Sequence, residues 1–576
     1  MFWSRRRMVR YSSYMSDSPT ESDGLQGGTA LAKEYASAKT AGWFILVFLL
    51  SLSLAVFLQK RSGSHDAELS GYPDEPAHYV TGLMIRSYLH EGHWKSPTQF
   101  AEDYYLHYPK VAIGHWPPIY YLAQFLWTLV FPATINSILY LQAVLLAATS
   151  AILFTIAKRR FGVWLALILC GAFLILRPTQ ELASEIMSEP LLALTTLGAT
   201  WSIARYFETA RSALLIGFVV LVEVAAHTKG SGIALAGVPV LLGVCLGRRD
   251  VLRKRGFWLV QLVMLVVLIP WQIFTLKMVS NGTDGPLSLR LALTQAREFG
   301  PIMVNVFGWP LLILILSGAY LAIVSRMHRD PLLVSCAVTA TLTLVFHCIS
   351  PSGAEDRRLF MALPDALLFT PLPFLYLAQP RQRRSWPTVL LFIVVASSLF
   401  STRLAFRKAA VGYRRSAGWL LANINNRGEN AVLIASDIDD GEGMLISEIG
   451  QRQPKPTLYI VRSSKLFEDC DWQRRDCRTI ITDPSRAETV LDSMPVRYVV
   501  IDRFSGLASA ARNEVLRRMI DEHSDLWVLR NTESAIAPGV GNRGEILIYQ
   551  RVGLSQSDQV HVRVNLNRMI GRVIGK

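Results

Sequence analysis

The sequence predicts a mostly α-helical polytopic membrane protein with about 11 transmembrane helices, followed by a C-terminal extracytoplasmic α/β domain. Three observations carry that prediction. Only 18% of the 576 residues are Asp, Glu, Lys or Arg, while 51% are hydrophobic; soluble domains carry about a quarter of their residues as charges. Apolar stretches alternate with basic punctuation as far as residue 402, and beyond it short β-rich runs alternate with helix-like segments. The mean hydropathy of +0.29 and the 6 cysteines and 38 glycines exclude a disordered chain, a collagen and a disulfide-dense secreted scaffold.

The first span is read at residues 42–58, an uncharged stretch preceded by Arg5, Arg6, Arg7, Arg10, Lys33 and Lys39. It begins too far in for a signal peptide, and no small-residue cleavage site follows. Residues 1–41 are then a cytoplasmic tail, polar and expected to be disordered. Ten further apolar stretches follow, at 135–157, 161–176, 190–204, 212–228, 230–247, 256–276, 304–325, 331–350, 359–379 and 386–402. Residues 118–131 are apolar and aromatic but short, which suits a helix lying in the interface better than a span.

Charge supports that choice. With 118–131 lying flat, the clusters Lys158-Arg159-Arg160, Arg205 with Arg211, Arg248 to Arg255, Arg326 with Arg329, and Arg381 with Arg383-Arg384 all fall inside, as the positive-inside rule asks. These loops hold fifteen basic and three acidic residues, whereas the first outer loop, 59–134, holds five basic and seven acidic. The tail adds six basic and four acidic residues, so most of the net charge of +15 records topology, and no nucleic-acid partner is implied. The spans define a transmembrane module at 42–402.

Residues 403–576 read as an α/β domain with β-rich runs at 431–435, 458–461, 498–501, 526–529 and 546–549 and a helix-like stretch at 507–520. An odd span count places this domain outside. Cys470 and Cys477 on a polar loop are then disulfide candidates in an oxidising compartment. Cys170, Cys245, Cys336 and Cys348 lie in or at the ends of spans and read as small buried hydrophobes. No phosphate-binding glycine pattern or nucleophile elbow is visible, which leaves an acceptor-binding, lid or partner-docking module.

The chemistry concentrates in the first outer loop. Gly71-Tyr72-Pro73-Asp74-Glu75-Pro76-Ala77-His78-Tyr79 holds an acid pair bracketed by prolines, and His107-Tyr108-Pro109-Lys110 and His115-Trp116-Pro117-Pro118-Ile119-Tyr120-Tyr121 follow. Adjacent carboxylates at a lipid–water boundary suit a general base, a cation site or a plain solvated pair.

The Asp-Glu pair with Tyr79 and Gly82 behind it, the His-x-Pro-Pro-x-Tyr-Tyr segment, Ser188-Glu189-Pro190, Thr228-Lys229-Gly230 and Asp356-Arg357-Arg358-Leu359 through Pro364 occur in one order. Together they resemble the GT-C glycosyltransferases of family 39, the protein O-mannosyltransferase and aminoarabinose transferase type. The likeness covers roughly residues 42–379. It implies transfer of a sugar from a polyprenyl-phosphate carrier to a lipid, glycan or protein acceptor on the outer face, with inversion. By the same resemblance Asp74 is the general base, Glu75 its assistant or a metal-orienting acid, and Glu189 a second acid lining the pocket. Lys229, Arg357, Arg358, His115, Tyr79 and Lys110 are expected to hold the donor phosphate or the substrate. Two departures stand out. Trp116 occupies a position where aminoarabinose transferases carry Lys, and Arg358 and Met361 stand where the family usually has Tyr and Pro. No cofactor is fixed, and the sequence leaves a divalent metal open.

Inside the spans, Glu223 and His227 sit four residues apart and read as a structural hydrogen-bonded pair, while His347 and Asp365 lie near other helix ends. Asn281-Gly282-Thr283 is a glycosylation sequon by pattern only. A bacterial inner membrane location suits the whole. A different class, a transporter or flippase of a lipid-linked saccharide, would call for repeated halves with broken helices, and the sequence displays no repeat.

Overall fold

A computed structural model describes residues 26–91, 96–279, 288–324, 329–350, 353–378, 386–401, 407–409, 411–424, 430–453, 455–470, 477–537, 541–554, 560–567 and 571–575. Asn281 and its sequon lie outside the described residues. The chain divides into two units, Met1–Leu46 and Val47–Lys576. In the first, residues 26–46 are the beginning of helix α1, Gln26–Ser62. Residues 26–41 are thus helical where a disordered tail was expected. The run Ala30, Ala32, Ala36, Ala38 and Ala41 has high helix propensity and leads directly into the apolar stretch; residues 1–25 lie outside the described residues.

After α1 the first loop folds as three helices, α2 (Glu75–Glu91), α3 (Pro97–His107) and α4 (Ile119–Thr128). Helix α4 has only 10 residues, too short to cross a bilayer. The bundle follows: α5 (Ile135–Phe161), α6 (Val163–Ile175), α7 (Arg177–Ala183), α8 (Glu189–Thr209), α9 (Ser212–Ala226), α10 (Val238–Cys245), α11 (Arg249–Leu252), α12 (Arg255–Val279), α13 (Leu289–Val324), α14 (Pro331–Ile349), α15 (Leu363–Leu367), α16 (Leu372–Leu377) and α17 (Trp386–Ser401).

Among the described residues 6 helical segments are long and apolar enough to cross a membrane, or up to 7 if the pair α6 and α7, bent by 61°, is one span. All eleven apolar stretches are built largely as helix, but several are broken. The stretch at 230–247 begins as a 3-10 helix, Gly230–Gly237. That at 359–379 is a 3-10 turn, Asp356–Ala362, followed by α15 and α16, each with Pro in its first turn. Proline removes a backbone donor and is tolerated at a helix start, so Pro364 and Pro373 divide an apolar run into short pieces.

The C-terminal region builds a five-stranded sheet in the order β2-β1-β5-β7-β6, from β1 (Asn430–Ala435), β2 (Leu458–Arg462), β5 (Val496–Phe504), β6 (Trp527–Ile536) and β7 (Arg543–Arg551). Strand β1 is parallel to both β2 and β5, and β7 runs antiparallel to β5 and β6. All six residues of β1 are buried, as expected of a central parallel strand covered on both faces. The short pairs β3 (Glu468–Asp469) with β4 (Arg478–Thr479) and β8 (Arg563–Leu566) with β9 (Arg572–Gly575) lie outside that sheet. Its helices are α18 (Tyr413–Asn423), α19 (Gly441–Arg452), α20 (Ser463–Leu466), α21 (Pro484–Ser493) and α22 (Ala511–Glu522). Cys470 and Cys477 form a disulfide.

This domain is fastened to the first loop. Glu68, buried, accepts the backbone N–H groups of Val411, Gly412 and Arg414 at 2.6, 3.0 and 3.1 Å. The Lys408 N–H donates to the Ser62 carbonyl at 2.8 Å. Gln451 Oε1 accepts from Ile135 N at 2.8 Å. One apolar core runs without interruption from Tyr79, Tyr104 and Tyr108 of the loop to Met444, Ile446 and Val432 of the domain.

Candidate active site

Asp74 stands immediately before α2 and its carbonyl accepts the His78 N–H at 2.9 Å, the first helical bond. Its carboxylate thus lies at the positive end of a helix. Gly82, two turns on, lets α2 lie against α4: a Cβ there would meet the Gln124 amide.

Arg357 comes from the 3-10 turn that begins at Asp356, whose carboxylate accepts the Arg357 backbone N–H at 2.8 Å. Its guanidinium organises the site. Nη1 lies 3.0 Å from Asp74 Oδ2 and 3.8 Å from Glu189 Oε1, Nε donates to Glu355 Oε2 at 2.6 Å, and the planar face lies 4.0 Å from the centre of the Tyr72 ring. Arg358 reaches Glu355 at 3.3 Å. Glu189 opens α8, followed at once by Pro190, and accepts a short hydrogen bond from Lys229. The lysine is held in its turn by Gly232, whose N–H donates to the Lys229 carbonyl at 2.9 Å. Three cations and three acids from segments 40 to 283 residues apart therefore meet at one end of the bundle.

Of the three acids Asp74 and Glu355 line the large cavity of about 920 Å³ beside them, and Glu189 does not. Asp74 keeps 35% of its side chain exposed, against 2% for Glu189. Burial would raise the Asp74 carboxyl, but the Arg357 charge, with His78 and Lys110 behind it, outweighs burial and holds the group below its ordinary value. His78 and His115 are pushed down to about 4, mainly by burial, and are neutral near pH 7. His78 stacks on Trp116 at 4.2 Å and shares a 2.9 Å hydrogen bond with Tyr121. Lys110, His115, Trp116 and Arg358 line the cavity from the loop and bundle, while Asp439, Arg462 and Lys465 line it from the α/β domain.

The structure thus brings together Asp74, Glu189, Lys229, Arg357 and Arg358, with His115 and Lys110 on the cavity wall. Two expected site residues lie elsewhere. Glu75 is fully buried, with both carboxylate oxygens on the Lys408 ammonium at 2.6 and 2.7 Å, and it takes further bonds from Ile186 N and Gly71 N at 3.0 and 3.2 Å. As the first residue of α2 it points away from Asp74 into the junction with the C-terminal region. Tyr79 is buried too, its hydroxyl donating to the Ala133 carbonyl at 2.7 Å. Sequence reading passed over Tyr72, Glu355, Lys408 and Arg462. Tyr72 and Glu355 flank quoted motifs and were within reach of it; Lys408 and Arg462 carry no local signal.

As to a metal, among the described residues Glu468, Cys470 and Cys477 form the one group of three candidate donors within 4.8 Å of one another. The disulfide removes both thiolates from that set. Around Asp74 the acids are engaged by Arg357 and Lys229. Away from the site, His227 Nδ1 bonds the Glu223 backbone carbonyl at 2.9 Å and only approaches its carboxylate, at 3.4 Å, whose oxygens have no hydrogen-bond partner among the described residues; Asp365 lies 3.4 Å from Cys336 and from Thr200 inside the bundle.

Residues 115–274 match the model of the dolichyl-phosphate-mannose-protein mannosyltransferase family. The fold is similar to ArnT from Cupriavidus metallidurans bound to undecaprenyl phosphate, with a TM-score of 0.52 and 13% identity over 88% of this chain and 98% of that one. It is also similar to the Archaeoglobus fulgidus oligosaccharyltransferase in complex with Zn and sulfate, with a TM-score of 0.51 and 13% identity over 80% of this chain and 68% of that one. No curated protein sequence matches the chain. The chain is a multi-pass helical membrane protein with a C-terminal sheet domain, and its fold is similar to that of these structures.

Proposed function

We propose that the protein is an inverting glycosyltransferase that moves a sugar from a polyprenyl-phosphate carrier to an acceptor hydroxyl, with Asp74 as the general base. The carrying observation is the Asp74–Arg357 contact at 3.0 Å on the cavity wall. The undecaprenyl phosphate of the Cupriavidus protein, named with its structure, supports a lipid carrier here. The basic inner loops support an N-terminus in the cytoplasm with the cavity on the outer face, and the likeness to the Cupriavidus protein supports a bacterial plasma membrane.

The pairing suggests how the base is kept and released. In the free protein Arg357 holds Asp74 ionised, which makes it a weak base. A donor phosphate entering beside Arg357, Arg358 and Lys229 competes for the same guanidinium, a group suited to bidentate phosphate binding. Asp74 then gains basicity as the donor arrives. The acceptor O–H gives its proton to Asp74, its oxygen forms the new bond at the anomeric carbon from the opposite face, and the carbon–oxygen bond to phosphate breaks. The negative charge left on the phosphate is met by cations already in place. Glu189 holds Lys229 and Glu355 holds Arg357 and Arg358, which keeps those cations in place for the phosphate once Arg357 gives up Asp74.

The test is transfer of radiolabel by the purified full chain in proteoliposomes, using a panel of polyprenyl-phosphate sugars and a membrane extract as acceptor source. Wild type is expected to move label to the extract, and Asp74→Asn to lose about 10²–10⁴-fold in rate. Equal turnover by Asp74→Asn overturns the reading, as does net movement of the labelled lipid across the bilayer without transfer.

A further inference from the structure

Two sets of cations stand near Asp74, and of the first Arg357 and Arg358 line the cavity. Arg357, Arg358 and Lys229 belong to the helical bundle and are engaged with Glu189 and Glu355. Lys110 of the first loop and Arg462 and Lys465 of the α/β domain form the second set and line the cavity as well. The second set is built with as much care as the first. Arg462 ends strand β2 and is fixed by Glu442 at 2.7 Å; its Nη1 then donates to the Pro109 carbonyl at 3.2 Å. His107 meets the Leu458 carbonyl at 3.0 Å and the Tyr108 hydroxyl donates to the Gln453 carbonyl at 3.2 Å. The α/β domain thereby sets the backbone on either side of Lys110.

The Lys110 ammonium has no hydrogen-bond or ion-pair partner among the described residues. Three acids bear on it electrostatically and none is bonded to it: Glu442 already accepts from Arg462, Ser463 and Ser464, Asp74 is held by Arg357, and Asp440 keeps a buried Oδ1 without a hydrogen-bond partner among the described residues. Burial and the neighbouring Arg462 charge push its pKa down to about 8, a cost that a bound anion would relieve. The location agrees with general rules for such sheets. Asp439 follows β1, and Arg462 and Lys465 stand at the end of β2, the carboxyl ends of parallel strands, where open α/β sheets receive ligands. At about 920 Å³ the cavity matches pockets that hold a whole drug-sized ligand, more than one sugar ring occupies.

We propose that Lys110, backed by Arg462 and Lys465, is an anion subsite on the α/β side of the cavity, and that it holds a phosphate-type group of the acceptor. The assignment rests on the glycosyltransferase reading for the word acceptor, while the subsite itself stands on its own geometry. It makes the acceptor an anionic molecule and gives the α/β domain a part in choosing it.

The probe is inorganic pyrophosphate, titrated into the full chain in nanodiscs already saturated with undecaprenyl phosphate. Wild type is expected to bind pyrophosphate without displacing the lipid. Lys110→Gln should weaken that binding about tenfold or more, the scale of a charge-assisted hydrogen bond, and Lys110→Arg should restore it, with undecaprenyl phosphate affinity unchanged in both. Displacement of the lipid by pyrophosphate would make the donor phosphate the source of the anion and overturn the proposal, as would pyrophosphate binding indifferent to Lys110→Gln. Failure of wild type to bind undecaprenyl phosphate, with Lys110-dependent pyrophosphate binding intact, would sink the carrier reading and leave the subsite standing.

Discussion

The Lys408 ammonium lies 2.6 and 2.7 Å from the two carboxylate oxygens of Glu75, with side-chain exposures of 2% and 0%. The acid next to the candidate base is therefore part of the joint between first loop and C-terminal region. Removing one partner of a buried pair leaves the other charge uncompensated, at about 3–5 kcal/mol. Glu75→Gln should lower the thermal midpoint, and Glu75→Gln with Lys408→Met should recover most of it. Sugar transfer per folded molecule should persist. Loss of turnover at wild-type stability would return Glu75 to the chemistry.

That pair also marks where sequence reading stops. The apolar stretches, the short helix within residues 118–131 and five β-runs were legible because periodicity and length are local properties. So were Asp74, Glu189, Lys229 and Arg357, each inside a short motif. The partition between Asp74 and Glu75 was not, because it depends on Lys408, 333 residues away. Broken spans escaped for a related reason: in 359–379 a proline at a helix start and a proline that kinks one look alike in composition.

Asp74 predicts a split in pH dependence. Its carboxyl is held below the ordinary value in the free protein, so the base is ionised down to more acid pH than a free aspartate, about 4. The acid limb of kcat/KM, which reports free enzyme, should fall below that value. The limb of kcat should lie higher, because bound donor phosphate has taken Arg357. The ion pair likewise stabilises the fold above the unfolded carboxyl's pKa, and that contribution is lost as pH falls through the lowered one. Coincident limbs for kcat and kcat/KM would contradict the sharing of Arg357.

Arg357 should be less replaceable than its charge suggests. Lysine keeps the charge, but a single ammonium cannot reach Asp74, Glu189 and Glu355 together or lie flat on Tyr72 as the guanidinium does. Arg357→Lys is expected to cost about 10²-fold or more in kcat/KM. In Arg357→Ala burial is left to act on Asp74 with less opposition, so the acid limb of any residual activity should move up in pH. Titration of the variants against undecaprenyl phosphate separates the binding loss from the rate loss.

Gly232 offers a test that changes no charged group. A Cβ at this position would stand 2.5 Å from Ala226 N and 2.6 Å from Ala225 O. Both are backbone atoms of the last turn of α9, and neither can swing aside as a side chain would. Gly232→Ala must therefore push the 3-10 segment away from α9, and with it the carbonyl of Lys229 that accepts the Gly232 N–H. The ammonium then loses its aim at Glu189, and Glu189 its hold on Arg357. Overpacking of this kind costs about 1–3 kcal/mol, which a thermal melt would register as a modest fall. The larger effect should be on donor binding: undecaprenyl phosphate affinity should drop in Gly232→Ala, while pyrophosphate binding at Lys110, which stands on the first loop, should hold. Equal loss at both sites would indicate a general loosening of the fold, and unchanged lipid affinity would remove Lys229 from the donor site.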